Sequence, residues 1–97
     1  MPRHFTNREL WELRNELPLP DLLKRLRWPH RRRDGHLVFV CPQCGESRSD
    51  LNPQVNLLRC FHCETNFNPI DFTMANRKCD FVEAVHYLLS VQGSLPQ

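Results

Sequence analysis

No stretch of this 97-residue chain approaches the roughly 20 apolar residues that a membrane-crossing helix needs. Its start, Met1-Pro2-Arg3-His4-Phe5, lacks the apolar region of a secretory signal. Both absences argue against a secreted, disulfide-stapled domain and for a reducing cytoplasmic setting with no membrane partner. There is no internal repeat, and no low-complexity segment beyond the last few residues, so neither a solenoid nor a long disordered tail is expected. Strong charge of one sign is missing as well, since the net charge is only +2. A chain this short makes one domain with a limited apolar core, and metal–ligand bonds can supply folding free energy that the core lacks.

What is present is cysteine in a particular arrangement. Cys41-Pro42-Gln43-Cys44 and Cys60-Phe61-His62-Cys63 are two Cys-x-x-Cys knuckles separated by fifteen residues. Four thiolates so spaced converge tetrahedrally on one ion, the geometry that structural zinc prefers. One Zn2+ per chain, held by Cys41, Cys44, Cys60 and Cys63, is therefore expected. The competing reading, a disulfide framework, belongs to small secreted domains. Cys79 lies outside both knuckles and reads as a small apolar residue. His62 sits inside the second knuckle but is displaced from the ligand spacing, so it is placed beside the metal. His4, His30 and His36 have no ligand spacing, and His86 is expected on the solvent side of the last helix.

The chain reads as an α+β small zinc-bound domain, a zinc ribbon of antiparallel β-sheet flanked by N- and C-terminal helices. Residues 1–35 form an N-terminal helical, basic segment and residues 36–97 the ribbon with a C-terminal helical cap, in one compact domain. Thr6-Asn7-Arg8-Glu9 is a capping box, followed by Leu10, Leu13 and Leu17 at helical spacing until Pro18 and Pro20. A short helix is expected over 21–27, and Arg31-Arg32-Arg33-Asp34-Gly35 as an exposed turn. Strands are expected over 36–40 and 55–59, delivering the two knuckles, with polar loop and room for one irregular strand over 46–54, and a turn over 64–68. Asn68-Pro69 opens a helix ending near Asn76, and Asp80 to Glu83 is a second capping box. The last helix buries Phe81, Val82, Val85, Leu88 and Leu89 and stops at Gly93.

Charge is uneven. Residues 1–33 carry nine Arg or Lys against four acids, a net of +5, while residues 34–97 carry −3. The basic third suits a polyanion, although scattered arginines also occur as plain solvated surface. Arg31, Arg32 and Arg33 are the one dense basic run, a candidate for phosphate contact. Phe39, Arg59, Phe61 and Trp28 interleave aromatic and basic character, the combination that grips single strands by base stacking and phosphate attraction. Phe39 reads more simply as core, whereas Phe61 stands at a knuckle tip with Arg59 just before it. Phe72, Phe81 and Tyr87 read as core of the helical cap.

From Asp21 to Leu89 the chain resembles the zinc-binding domain of bacterial-type (DnaG-like) DNA primases. Asp21-Leu22-Leu23 precedes a basic stretch, and strands lead into Cys41-Pro42 and into Cys60-Phe61-His62-Cys63. Ile70-Asp71-Phe72 followed by Phe81-Val82-Glu83-Ala84-Val85 is the most specific part of the likeness. It departs from that family in having Cys44 where histidine is common, a slightly short loop between knuckles, and Glu64-Thr65-Asn66-Phe67 where glycines are frequent. The Glu-Gly-x-x-Asp and Asp-x-Asp signatures of the catalytic domain do not occur in the chain. The resemblance implies a module that binds single-stranded template DNA and assists priming or replication with a separate polymerase, primase or helicase protein. Without a carboxylate cluster for magnesium, no catalysis is expected from this chain alone. The candidate DNA contacts are Arg31, Arg32, Arg33, Arg59 and Phe61. Two other readings compete: a protein-docking module or transcriptional regulator using the helix over 6–17, and a redox or zinc sensor whose thiolates release metal on oxidation.

Overall fold

The polar stretch between the knuckles forms a strand, and so does the turn expected after them. In the computed structural model, which describes residues 5–92, four helices and five strands follow one another as α1 (Asn7–Asn15), α2 (Leu19–Arg25), β1 (His30–Arg33), β2 (His36–Phe39), β3 (Ser49–Asn52), β4 (Leu57–Cys60), β5 (Thr65–Phe67), α3 (Pro69–Arg77) and α4 (Phe81–Gln92). β1 pairs antiparallel with β2, and β3, β4 and β5 form a second antiparallel sheet in that order. The expected α+β ribbon with flanking helices is the observed architecture. Among the described residues, no helix is long and apolar enough to cross a membrane.

Capping residues set the helix boundaries. Thr6 and Glu9 form the reciprocal box that starts α1, and Asn68 with Asp71 forms the one that starts α3. Asp80 Oδ1 accepts from the Glu83 amide at 2.8 Å ahead of α4. α2 begins at Leu19, two residues before the expected start, because Pro20 fits its first turn, where no amide donor is needed. The expected end of α4 at Gly93 lies outside the described residues.

Three sequence expectations are corrected. Arg31 to Arg33 do not form a turn. They lie in β1, paired with β2 through a two-residue connection in which Asp34 (φ 51°) and Gly35 (φ 81°) are both left-handed. Asp-Gly is the pair such a hairpin favours, because both central residues must take positive φ. The turn expected over 64–68 contributes β5, pairing Asn66 with Arg59, while the irregular strand within 46–54 is β3, pairing Asp50 with Arg59 on the other side of β4. β3, Ser-Asp-Leu-Asn, is poor in β-favouring residues and owes its strand form to pairing with β4. In α4 the buried side chains are Ala84, Val85, Leu88 and Val91, whereas Phe81 is half-buried and Val82 exposed.

A single apolar cluster joins Leu13, Leu17, Leu22 and Leu23 of the amino-terminal helices to Phe39, Leu58, Phe67, Phe72, Val85 and Leu88. Phe72 is fully buried and meets Trp28, Phe39 and Phe67 edge-on, with ring centroids at 5.6, 6.4 and 6.3 Å. Edge-to-face contacts of this kind add to the burial itself. The ring therefore ties α3 to the ribbon and to the link between α2 and β1.

Two buried polar residues join parts that the backbone ladders leave separate. The Ser49 hydroxyl donates to the Phe39 carbonyl at 2.6 Å and accepts from the Phe39 amide at 2.9 Å, stitching β2 to β3. Asn56, in the β3–β4 connection, donates to the carbonyls of Arg14 and Leu17 at 2.9 and 2.8 Å and accepts from the Leu19 amide at 3.2 Å. That side chain thereby satisfies backbone groups in the tight passage from α1 to α2, where a buried orphan would be costly.

Candidate metal centre and the sheet face beside it

β2 leads through Val40 into the first knuckle, and the amides of Gln43 and Cys44 point at the Cys41 sulfur at 3.4 and 3.5 Å. The Gly45 amide bonds the Cys41 carbonyl at 2.9 Å and the Cys41 amide bonds Glu46 at 2.8 Å, closing the turn. β4 ends on Cys60 itself and delivers the second knuckle. In each knuckle the residue after the second cysteine is left-handed: Gly45 at φ +78° and Glu64 at φ 55°. Glu64 thus holds a conformation that glycine would take without steric cost.

The four sulfurs lie within 4.8 Å of one another. Cys41 and Cys63 are 3.7 Å apart and Cys44 and Cys60 3.5 Å apart. Zn–S bonds of about 2.3 Å in a tetrahedron place sulfurs about 3.8 Å apart, so these residues fit one zinc ion. Cys41 and Cys60 are buried, and Cys44 and Cys63 are half-buried. Four protein thiolates fill the coordination sphere and leave no position for water or substrate, which is the form of a structural site.

The thiols titrate unequally. Cys63 is held down at about 7, first by its contact with the Thr65 hydroxyl at 3.3 Å. The hydrogen bond to the Glu46 backbone favours the Cys44 thiolate, but burial and the neighbouring Cys60 and Cys41 sulfurs outweigh it and push Cys44 up to about 12. Burial likewise raises Cys41. Crowded thiolates repel one another, and a divalent cation removes that penalty. Cys79 stands apart from this cluster, its sulfur 3.9 Å from the Thr73 carbonyl and its pKa raised chiefly by burial. His62 is exposed and is not among the residues gathered around the metal position.

Of the candidate nucleic-acid contacts, the structure brings Arg32, Arg59 and Phe61 to one groove of about 660 Å3, which His36, Asp50 and Asn66 also line. Phe61 is 56% exposed, and the Arg59 guanidinium sits over its ring at 5.8 Å from the centroid. Arg59 also donates to Asn66 Oδ1 across β5 at 3.1 Å. Arg31 is directed to a separate hollow with Val38 and Ser47, and Arg33 lines neither. The alternation of β1 explains the split. Arg32 pairs with Leu37, and Arg31 and Arg33 pair with Val38 and His36, so neighbouring arginines face opposite sides. Phe39 and Trp28 belong to the core, the latter donating its indole N–H to the Val40 carbonyl at 2.6 Å.

Asp50 was not legible as a member of this face. It stands across from Arg59, and its carboxylate lies 3.0 Å from His36 Nδ1, linking the hairpin to the second sheet. Ser-Asp-Leu-Asn carries no apolar alternation, and burial in β3 runs from buried Ser49 through half-buried Asp50 and Leu51 to exposed Asn52, so no local pattern marks Asp50.

Residues 19–66, a little under half of the chain, match the family described as transposase zinc-ribbon domain. No curated protein matches the chain. The match spans α2 through most of β5 and supports a zinc ribbon. α1, α3 and α4 lie outside it.

Proposed function

We propose that this chain is a zinc-ribbon module that grips single-stranded DNA on its exposed sheet face and serves priming or replication alongside a catalytic protein supplied in trans. The observation that carries the reading is the pairing of Arg59 with the exposed ring of Phe61, one residue beyond a metal ligand. A ring held there can stack on any base for about 1–3 kcal/mol while the guanidinium attracts phosphate. The likeness to a transposase zinc ribbon supports a nucleic-acid setting. Support for the primase-like form of the reading comes from the helical cap. Asp71 of Ile70-Asp71-Phe72 completes the cap of α3, and Phe72 is the ring that fastens α3 to the ribbon. The residues carrying the resemblance thus do architectural work, as a shared fold requires, while function remains a matter of the face itself.

Arg32 replaces the full arginine run as the hairpin's contribution to the groove. In this reading the chain itself joins no nucleotides, because its metal is structural and, among the described residues, no carboxylate cluster for magnesium accompanies it. A docking role for α1 is the second reading, favoured by Trp11, which is 54% exposed on that helix. Fluorescence anisotropy with an unstructured oligonucleotide separates the two. Salt-sensitive binding that weakens in Arg59→Ala and Phe61→Ala supports the first, whereas no binding at low salt with capture of a polymerase or helicase supports the second.

A further inference from the structure

We infer that Arg48, in the segment between the knuckles, is a nucleic-acid contact acting with Phe61; this rests on the single-strand reading above. The β3–β4 register pairs Ser49 with Cys60 and Asp50 with Arg59. One step further along, the Phe61 amide donates to the Arg48 carbonyl at 2.7 Å, so the pairing continues past the ends of both strands. Arg48 therefore stands directly across from Phe61, on the same side of the sheet as Asp50 and Arg59. Opposed residues of an antiparallel pair have Cβ atoms about 4.5–5.5 Å apart, within easy reach of a long side chain.

Phe61 then has two arginines as neighbours in the sheet: Arg59 along its own strand, with its guanidinium 5.8 Å from the ring centroid, and Arg48, whose backbone opposes it across the pair. Arg48 is exposed and has no carboxylate partner among the described residues. Asp50, the acid two residues along on that face, is engaged by His36 and by the Leu51 amide. A base stacked on Phe61 would have its two flanking phosphates attracted by a guanidinium on either side, an arrangement suited to a single strand rather than to an isolated anion. Arg31 and Arg33 lie on β1, which belongs to the two-stranded sheet, whereas Arg48 leads directly into β3 of the sheet that carries Arg59.

The test is equilibrium binding of a fluorescein-labelled oligo(dT) across a salt series, with zinc content measured for every variant. Arg48→Ala is expected to retain zinc, weaken binding about tenfold at low salt, and reduce the log–log salt slope by about 0.7, the value of one phosphate contact on a single strand. Arg48→Lys should keep the slope, and Arg48→Ala combined with Phe61→Ala should cost less than the two separate losses together. Should the alanine variant lose zinc, Arg48→Gln carries the comparison. Unchanged affinity and slope in Arg48→Ala, while Arg59→Ala and Phe61→Ala lose binding, overturns the assignment of Arg48 and leaves the single-strand reading standing. Absence of binding by the wild-type protein at low salt overturns both.

Discussion

At the scale of the residue, the two knuckles use the same backbone shape with different side chains. Gly45 adopts its left-handed conformation freely, whereas Glu64 meets the crowding between its Cβ and backbone at φ 55°. That conformation costs a non-glycine residue about 1–2 kcal/mol, partly offset by the greater freedom glycine loses on folding. Glu64→Gly should accordingly raise the stability of the zinc-loaded protein by up to about 1 kcal/mol in chemical denaturation. Gly45→Ala should lower it by about 1 kcal/mol through local backbone strain alone, since beyond the adjoining residues no atom lies within 4 Å of the added Cβ. Opposite signs are the expected outcome; a loss in both would mean that the Glu64 side chain makes a stabilising contact outweighing its strain.

Asn56 belongs to this scale by size and to the next by effect. Its three hydrogen bonds serve backbone groups of Arg14, Leu17 and Leu19. Its φ of 52° also suits asparagine better than most residues. Asn56→Ala leaves several buried groups unpaired, so a loss of about 2–4 kcal/mol is expected by thermal or urea unfolding. A loss below about 0.5 kcal/mol would show that water replaces the side chain.

At the scale of elements, the sequence was most legible where a local chemical rule acts alone. The Thr6–Glu9 and Asn68–Asp71 boxes start α1 and α3 as their residue types dictate. The cysteine spacing gave the metal ligands for the same reason, because the knuckle is a local structure. The bounds and register of β3, and β5 altogether, were not legible because they are set by pairing with β4, a non-local cause. Without the register of β3, Arg48 and Asp50 stayed hidden, since their importance depends on which residue they oppose. The turn expected over residues 31–35 is confined to Asp34-Gly35, because pairing with β2 extends Arg31 to Arg33 as strand. Burial shifts the weight of the helical cap as well. Phe81 was expected deep in the core but is half-buried, whereas Phe72 is fully buried among three rings. Phe72→Ala should cost about 3–5 kcal/mol and Phe81→Ala clearly less, with the order checked by denaturant midpoints.

At the scale of the whole molecule, one small core and one metal centre must share the task of holding the sheet face in shape. Zinc competes with protons for the thiolates, so its affinity should fall as the pH falls. Cys44, at about 12, and Cys41, raised by burial, surrender their protons only to the metal. Cys63 adds a contribution of the same sign. Its pKa of about 7 lies below the ordinary 9.0, so the stability it supplies is present above 9.0 and is lost as the pH falls through about 7. Acidification should therefore release zinc and loosen the ribbon together, followed by a chromogenic chelator and circular dichroism. Metal release without loss of ordered sheet would separate the two processes. Elemental analysis should return one zinc per chain, and Cys44→Ser or Cys60→Ser should lose it.

The single-strand role proposed for the zinc-held sheet face, with Arg59 and Phe61 at its centre, is tested by the equilibrium affinity of the zinc-loaded protein for an unstructured oligonucleotide at low ionic strength, measured before and after the metal is chelated. Binding should weaken steeply with salt and disappear when zinc is removed. Binding absent from the zinc-loaded protein, or undiminished once the metal is gone, would contradict that role.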